Sequence, residues 1–230
     1  STTNSTILFS STKIDENKDA FVYGSSGAGL YCVVYDKSTQ TASDSLLVMT
    51  GATYAKSLKV GGNVAILCGV STDIRIMLIS PSCTLLSTAT ATDSAGVSSI
   101  GQIIAVGNSI AMSYLNSIGG GVIRAVSVSG TTLTIGLSTG SYAAEPPRIY
   151  ATGSILRVVQ HSNSSSIVCT PYTVSGASLT AGTSTGVIAD AFAVNRIRSF
   201  QLANGDICVT HVYSAYLVIG TFKLSGTTEM

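Results

Sequence analysis

One phrase recurs five times along this chain, and the recurrence limits what the chain can fold into. A small-residue turn containing glycine is followed by an aliphatic residue and a run of alternating apolar positions. The copies read YGSSGAGLYCVVYD at 23–36, VGGNVAILCGVS at 60–71, VGNSIAMSYLNS at 106–117, ATGSILRVVQHS at 151–162 and LANGDICVTHVYS at 202–214. Their first aliphatic residues are Leu30, Val64, Ile110, Ile155 and Ile207, separated by 34, 46, 45 and 52 residues. A unit of that length tiling a whole chain signals a solenoid, a propeller or an array.

Each unit parses into four short strands. In the third, QIIAV (102–106) turns through Gly107 and Asn108 into SIAMSYL (109–115); VIRAVSV (122–128) then turns through Ser129 and Gly130 into TLTIGLS (132–138). Gly-Asn and Ser-Gly supply the positive φ that a right-twisted hairpin requires. Ser and Thr together make up about a quarter of the residues and only 10% are charged, while Val, Ile, Thr and Tyr are plentiful. That balance suits pleated, half-buried strands. Four antiparallel strands per repeat is the spacing of a propeller blade.

The expected fold is therefore all-β: a five-bladed β-propeller of four-stranded antiparallel blades forming one domain over 1–230. Its units span approximately 18–51, 54–92, 100–140, 148–186 and 196–230. The last unit lacks an obvious fourth strand before SGTTEM (225–230), and the chain opens with an orphan strand, STILFSS (5–11), of the same Ser/Thr-aliphatic texture. The expectation is that 5–11 closes the last blade, which covers two open sheet edges at once. An open stack of sheets is the alternative. The chain opens with Ser1, which predicts a processed or trimmed form.

Charge and motifs exclude several function classes. Net charge is +1, from 12 basic and 11 acidic residues spread singly, so no cluster of Lys and Arg exists to follow a phosphate backbone. No apolar run reaches the 18 residues of a membrane-spanning helix. The five cysteines, Cys32, Cys68, Cys83, Cys169 and Cys208, form no CxxC pair and read as small buried thiols. His161 and His211 lie 50 residues apart, with no clustered ligands, so no metal and no cofactor is expected. The stretch GSSGAG (24–29) lies between two strands, which makes it a turn and not a phosphate cradle.

Sugar-cleaving propellers need two carboxylates converging on the central channel. The strands expected there, FVY (21–23), SLKV, QIIAV, RIYA and IRSFQL, contain no Asp or Glu; their polar residues include Lys59, Gln102 and Arg198. The reading is non-enzymatic. Loops from strand two to three, and from strand four to the next strand one, share one face and are expected to be the longer ones. Longer loops on a rigid scaffold are where recognition concentrates. The second-to-third loops offer Asp36, Asp73, Arg75, Asn116, His161, Asn163 and Tyr213; the interblade loops offer Tyr54, Asp93, Tyr142, Glu145 and Asp190. With no Trp present, a carbohydrate site would rely on Tyr with Asn and Asp.

In texture, with units such as SVSGTTLTIGLSTG (127–140) and TVSGASLTAGTSTG (173–186), the whole chain resembles virion proteins of tailed bacteriophages of the tail-fibre, tail-tip or head-fibre type. No diagnostic motif supports the resemblance, and it transfers no functional residue. It implies an extracellular structural or host-attachment module on a virion, receptor-binding through the loop-rich face. Its partners would be other virion or surface proteins and a cell-surface glycan. The alternative is a lectin-like or glycan-active propeller.

Overall fold

A computed structural model of the protein describes residues 6–25, 29–52, 54–142, 145–162, 166–189, 198–213, 216–223 and 226–229. The described chain is all-β and falls into five antiparallel sheets that follow one another in sequence. Sheet 1 contains β1 (Thr6–Lys13), β2 (Lys18–Ser25), β3 (Gly29–Asp36), β4 (Thr41–Ala42) and β5 (Leu46–Met49). Sheet 2 contains β6 (Tyr54–Val60), β7 (Asn63–Val70), β8 (Asp73–Ile79) and β9 (Leu85–Thr92). Sheet 3 contains β10 (Val97–Val106), β11 (Ser109–Asn116), β12 (Gly120–Ser129), β13 (Thr132–Ile135) and β14 (Thr139–Tyr142). Sheet 4 contains β15 (Arg148–Thr152), β16 (Ile155–Ser162), β17 (Ser166–Ser175), β18 (Ser178–Ala181) and β19 (Thr185–Ala189). Sheet 5 contains β20 (Arg198–Gln201), β21 (Ile207–Tyr213), β22 (Tyr216–Lys223) and β23 (Gly226–Glu229).

Each sheet pairs its strands in chain order, and in sheets 1, 3 and 4 the outer strand is split into two pieces that pair with the same third strand. In sheets 3 and 4 the split falls at a glycine. Gly136 N donates to Ala125 O (2.9 Å) and Gly182 N to Pro171 O (2.8 Å), at matching places in the two sheets. A Cβ on Gly136 would collide with the backbone carbonyl of Ala177 in sheet 4, so the residue is small because two backbones meet there. The tight turns take the positive φ their sequences demand, at Gly107 (56°), Gly130 (60°), Gly153 (61°) and Gly176 (58°).

The N-terminal strand does not close the last sheet. β1 pairs with β2 from Thr6↔Ser25 to Lys13↔Asp19, making it the innermost strand of sheet 1. A local turn decides this: Asp15 Oδ1 accepts from Asn17 N and Lys18 N (both 2.8 Å), and Ile14, which is 2% exposed, plugs the core beside it. Closing so short a loop costs far less chain entropy than pairing the two ends of the molecule. Sheet 5 meanwhile has its own fourth strand, since Lys223↔Gly226 begins the β22–β23 pairing. FVY (21–23) accordingly belongs to a second strand and not to the innermost one.

The sheets pack face to face, and alternation sends each strand's side chains to two neighbours. In β7, Val64, Ile66 and Cys68 join the core with sheet 1, while Ala65 and Leu67 join the core with sheet 3. A third core, built on Ala111, Ile123, Leu156 and Val158, lies between sheets 3 and 4; a fourth, built on Val159, Ile167, Ile207 and Val209, lies between sheets 4 and 5. Among the described residues there are four such cores, one for each successive pair. The innermost strands lie side by side, β1 against β6, β6 against β10 and β10 against β15. Hydrogen bonds tie them: Ser10 Oγ to Ser57 Oγ (2.7 Å), Ile149 N donating to Gln102 Oε1 (2.8 Å), and Tyr150 Oη donating to Ser199 Oγ (2.7 Å). Among the described residues, no helix is long and apolar enough to cross a membrane.

Candidate functional site

Second-to-third turns and sheet-to-sheet links emerge at one end of the stack, where Asp73, Arg75 and Asp93 come together. The described second-to-third turns, β7–β8 and β11–β12, are shorter than expected. β7 joins β8 through Ser71 and Thr72 alone, because Ser71 takes a positive φ of 53°. The link that follows sheet 2 is stitched to this turn: Asp93 N donates to Thr72 O (2.7 Å) and Val97 N to Ser71 O (2.8 Å). Turn and link thus form one rigid rim between sheets 2 and 3.

Two polar groupings occupy that rim. Asp73, the first residue of β8, pairs with Arg75 (3.3 Å) and accepts from Thr92 Oγ1 (3.2 Å) on the strand beside it. Both side chains of the pair are partly exposed, so they are available to a ligand and add little to stability. Arg75 Nε is buried without a hydrogen-bond partner. Asp93 forms the second grouping. Its Oδ1 accepts from Ala95 N (3.1 Å), and its Oδ2 accepts from Tyr114 Oη (3.0 Å). Tyr114 Oη in turn accepts from Arg124 Nε (3.1 Å), whose Nη1 donates to Gly136 O (3.0 Å).

Tyr114 is fully buried and Arg124 is 8% exposed, so a cation is held inside the core between sheets 2 and 3. Burial pushes the Tyr114 hydroxyl up to about 12. The relay runs from the rim inward and holds Asp93 in one orientation. Sequence reasoning missed both residues, which sit on strand positions that otherwise face the core. The available signal was the charge itself: Arg124 is paired with Met112 in the middle of an apolar alternation.

The other candidates are placed separately. Asn116 Oδ1 accepts from Gly120 N (2.6 Å), so this side chain closes its own turn. Tyr54 opens β6 and is 42% exposed, and Glu145 pairs with Arg148 (3.7 Å) ahead of β15. Tyr142, His161 and Tyr213 lie in strands whose backbone is described but whose side chains are not; Asn163 and Asp190 lie outside the described residues. No Asp or Glu stands on β1, β6, β10, β15 or β20. Among the described residues no group of three or more His, Cys, Asp or Glu is placed to hold a metal ion. All five cysteines are buried and unpaired, and burial raises the Cys32 and Cys68 thiols to about 12.

No protein-family model and no curated protein matches the chain. Solved structures do. A six-bladed β-propeller fungal lectin from Aleuria aurantia, described with a fucose recognition mode, is 17% identical with a TM-score of 0.56, covering 97% of this chain and 77% of the lectin. The SapL1 lectin in complex with α-methyl fucoside is 13% identical with a TM-score of 0.52, over 97% of this chain and 78% of that one. A 6-phosphogluconolactonase-like protein from Bacteroides uniformis is 11% identical with a TM-score of 0.59, over 96% and 69%. At these identities the likeness establishes the fold, a β-propeller, and nothing finer.

Proposed function

We propose that this chain is a non-enzymatic, carbohydrate-binding propeller whose five sheets are its blades and whose loop-rich end is the recognition surface. The observation that carries this reading is the rim between sheets 2 and 3. It presents Asp73, Arg75 and Asp93 side by side on a backbone fixed by two link hydrogen bonds, with Asp93 held from below by Tyr114 and Arg124. Sugar hydroxyls both donate and accept, so a fixed carboxylate beside a guanidinium satisfies them in pairs. Preorganisation matters because a side chain ordered in advance loses no rotamer freedom on binding.

The likeness to two fucose-related lectins supports the carbohydrate class. Acid–base hydrolysis is disfavoured, because the innermost strands bring no carboxylates to the axis. A virion or other extracellular setting, with virion or surface proteins as neighbours, is the proposal that follows from the Ser-, Thr- and Gly-rich texture. A glycan array probed with the wild-type chain and with Asp73→Ala and Arg75→Ala tests the reading. The expected outcome is a restricted set of bound glycans, with signal falling about tenfold in either variant. Signal unchanged in both variants would move the site elsewhere, and an empty array would remove the carbohydrate class.

A further inference from the structure

The charges of this nearly neutral chain are sorted. Among the described residues, five basic ones and no acidic one lie on the innermost strands: Lys13, Lys56, Lys59, Arg148 and Arg198. Three of them hold the same place in their sheets. Lys56 is opposite Leu67, Arg148 opposite Val159 and Arg198 opposite Thr210. Each of these partners comes three residues after a second-strand residue, Val64, Leu156 or Ile207, that packs back on the preceding sheet. In sheet 3 the corresponding residue is Gln102, whose backbone N donates to Ser113 Oγ (3.0 Å) and whose side-chain Oε1 accepts from Ile149 N on the next inner strand. Lys56, Gln102 and Arg148 stand at one interval of 46 residues, so the position is a built-in element of the repeat.

These cations are not consumed by the fold. Among the described residues no carboxylate lies within ion-pair reach of Lys56 or Arg198, and both are exposed. Arg148 touches Glu145 at 3.7 Å but keeps a buried Nε with no hydrogen-bond partner. Like charges on innermost strands that lie side by side, with low-dielectric walls beside them, focus a positive potential, which Glu145 offsets at Arg148 alone. Two exposed aromatic side chains share these strands: Tyr54, two residues before Lys56, and Phe200, 52% exposed, two residues after Arg198. An aromatic face beside a cation fits a ring that is apolar on one side and carries an anion at its edge.

We infer that the axial mouth at the loop-rich end binds an anionic saccharide, one carrying carboxylate or sulfate groups, with Lys56, Arg148 and Arg198 pairing its charges and Tyr54 and Phe200 receiving its rings. This rests on the carbohydrate reading above but uses a different surface from the Asp73–Asp93 rim. Calorimetric titration with polygalacturonate, heparin, neutral dextran and a dT20 oligonucleotide, at low salt and at about 0.5 M salt, tests it. Variants Lys56→Glu and Arg198→Glu are compared with Lys37→Glu, a charge reversal away from the inner strands.

The expected result is binding of one or both acidic polysaccharides, weakened at high salt and about tenfold or more in Lys56→Glu and in Arg198→Glu. Lys37→Glu should stay within about twofold. Polygalacturonate alone identifies a carboxylate ligand and heparin alone a sulfate one. Acidic-glycan binding unmoved by both inner-strand variants, or dT20 binding as tightly as the polysaccharides, overturns the inference. Dextran bound without salt dependence, or no polysaccharide bound, overturns it while leaving the carbohydrate reading to be decided by the glycan array. Circular dichroism of each variant confirms that the sheets remain formed.

Discussion

Sheets 2 and 1 have the same strand order and different fates. In sheet 2 both faces are covered: Val64, Ala65, Ile66, Leu67 and Cys68 run consecutively through β7 with none of them exposed. In sheet 1 only one face is. Ala20, Val22, Leu30 and Cys32 are fully buried against sheet 2, whereas Phe21, Tyr23, Tyr31, Val33 and Tyr35 on the other face stay half-buried, with Tyr23 stacked on Tyr31. Sheet 5 offers a matching contrast, with Ile207 and Val209 buried against sheet 4 while Phe200 and Ile219 are exposed. An inner blade is thus held from two sides, and its hydrophobic energy is shared between two cores. Among the described residues sheets 1 and 5 contribute to one core each, and alternation sets Phe21, Tyr23, Tyr31 and Tyr35 on the second face of sheet 1.

Core truncation should separate the two regions most strongly. Ile66→Ala empties a site closed on all sides between sheets 1 and 2 and is expected to cost about 2–5 kcal/mol. Val33→Ala, on the half-buried face of sheet 1, should cost under about 1 kcal/mol. Denaturant midpoints at unchanged slope measure both. A Val33 loss as large as that of Ile66 would mean that the face is covered in solution, and so that the first and last blades meet.

Alkaline titration sharpens the same contrast by a smaller amount. Cys32 and Cys68 have ordinary values near 9.0 that burial raises to about 12, and Tyr114 is raised from 10.0 to about 12. In each case the folded state keeps a proton that the unfolded chain gives up. Their contribution is therefore complete below about pH 9 and falls as pH rises through 9–12. Stability should be level from pH 7 to 9 and decline steadily above it. Tyr114→Phe should lower stability at pH 7 by about 1–2 kcal/mol, by leaving Asp93 and Arg124 without their shared hydroxyl. The same variant should shallow the decline above pH 10.

Much of the fold is legible in the sequence because the repeat carries it. Glycines at 107, 130, 153 and 176 announce their turns, and the alternation that follows them assigns each side chain to one of two cores. The ends resist the same reading because one texture serves two roles. STILFSS is as good a first strand as a fourth one, and only the Asp15 turn, a hydrogen-bond arrangement and not a hydropathy pattern, decides between them. The end of the stack that carries the second-to-third turns is legible from the strand order, but its contacts are not, and its described turns are shorter than the sequence predicts. Asp73, Arg75 and Asp93 are found on one rim, whereas Asn116 turns out to serve its own turn. Tyr114 and Arg124 escaped because strand alternation labels their positions as core, and a buried cation satisfied by a hydroxyl and a carbonyl leaves no spacing motif.

On the proposed function, this propeller holds a glycan without cleaving it. Incubating the chain with a glycan bound on the array, while following binding by calorimetry and new reducing ends by chemical assay, tests that claim directly. Saturable binding with the glycan recovered intact is the predicted result. A steady rise in reducing ends, abolished when one Asp or Glu at the loop-rich end is changed to its amide, would contradict it.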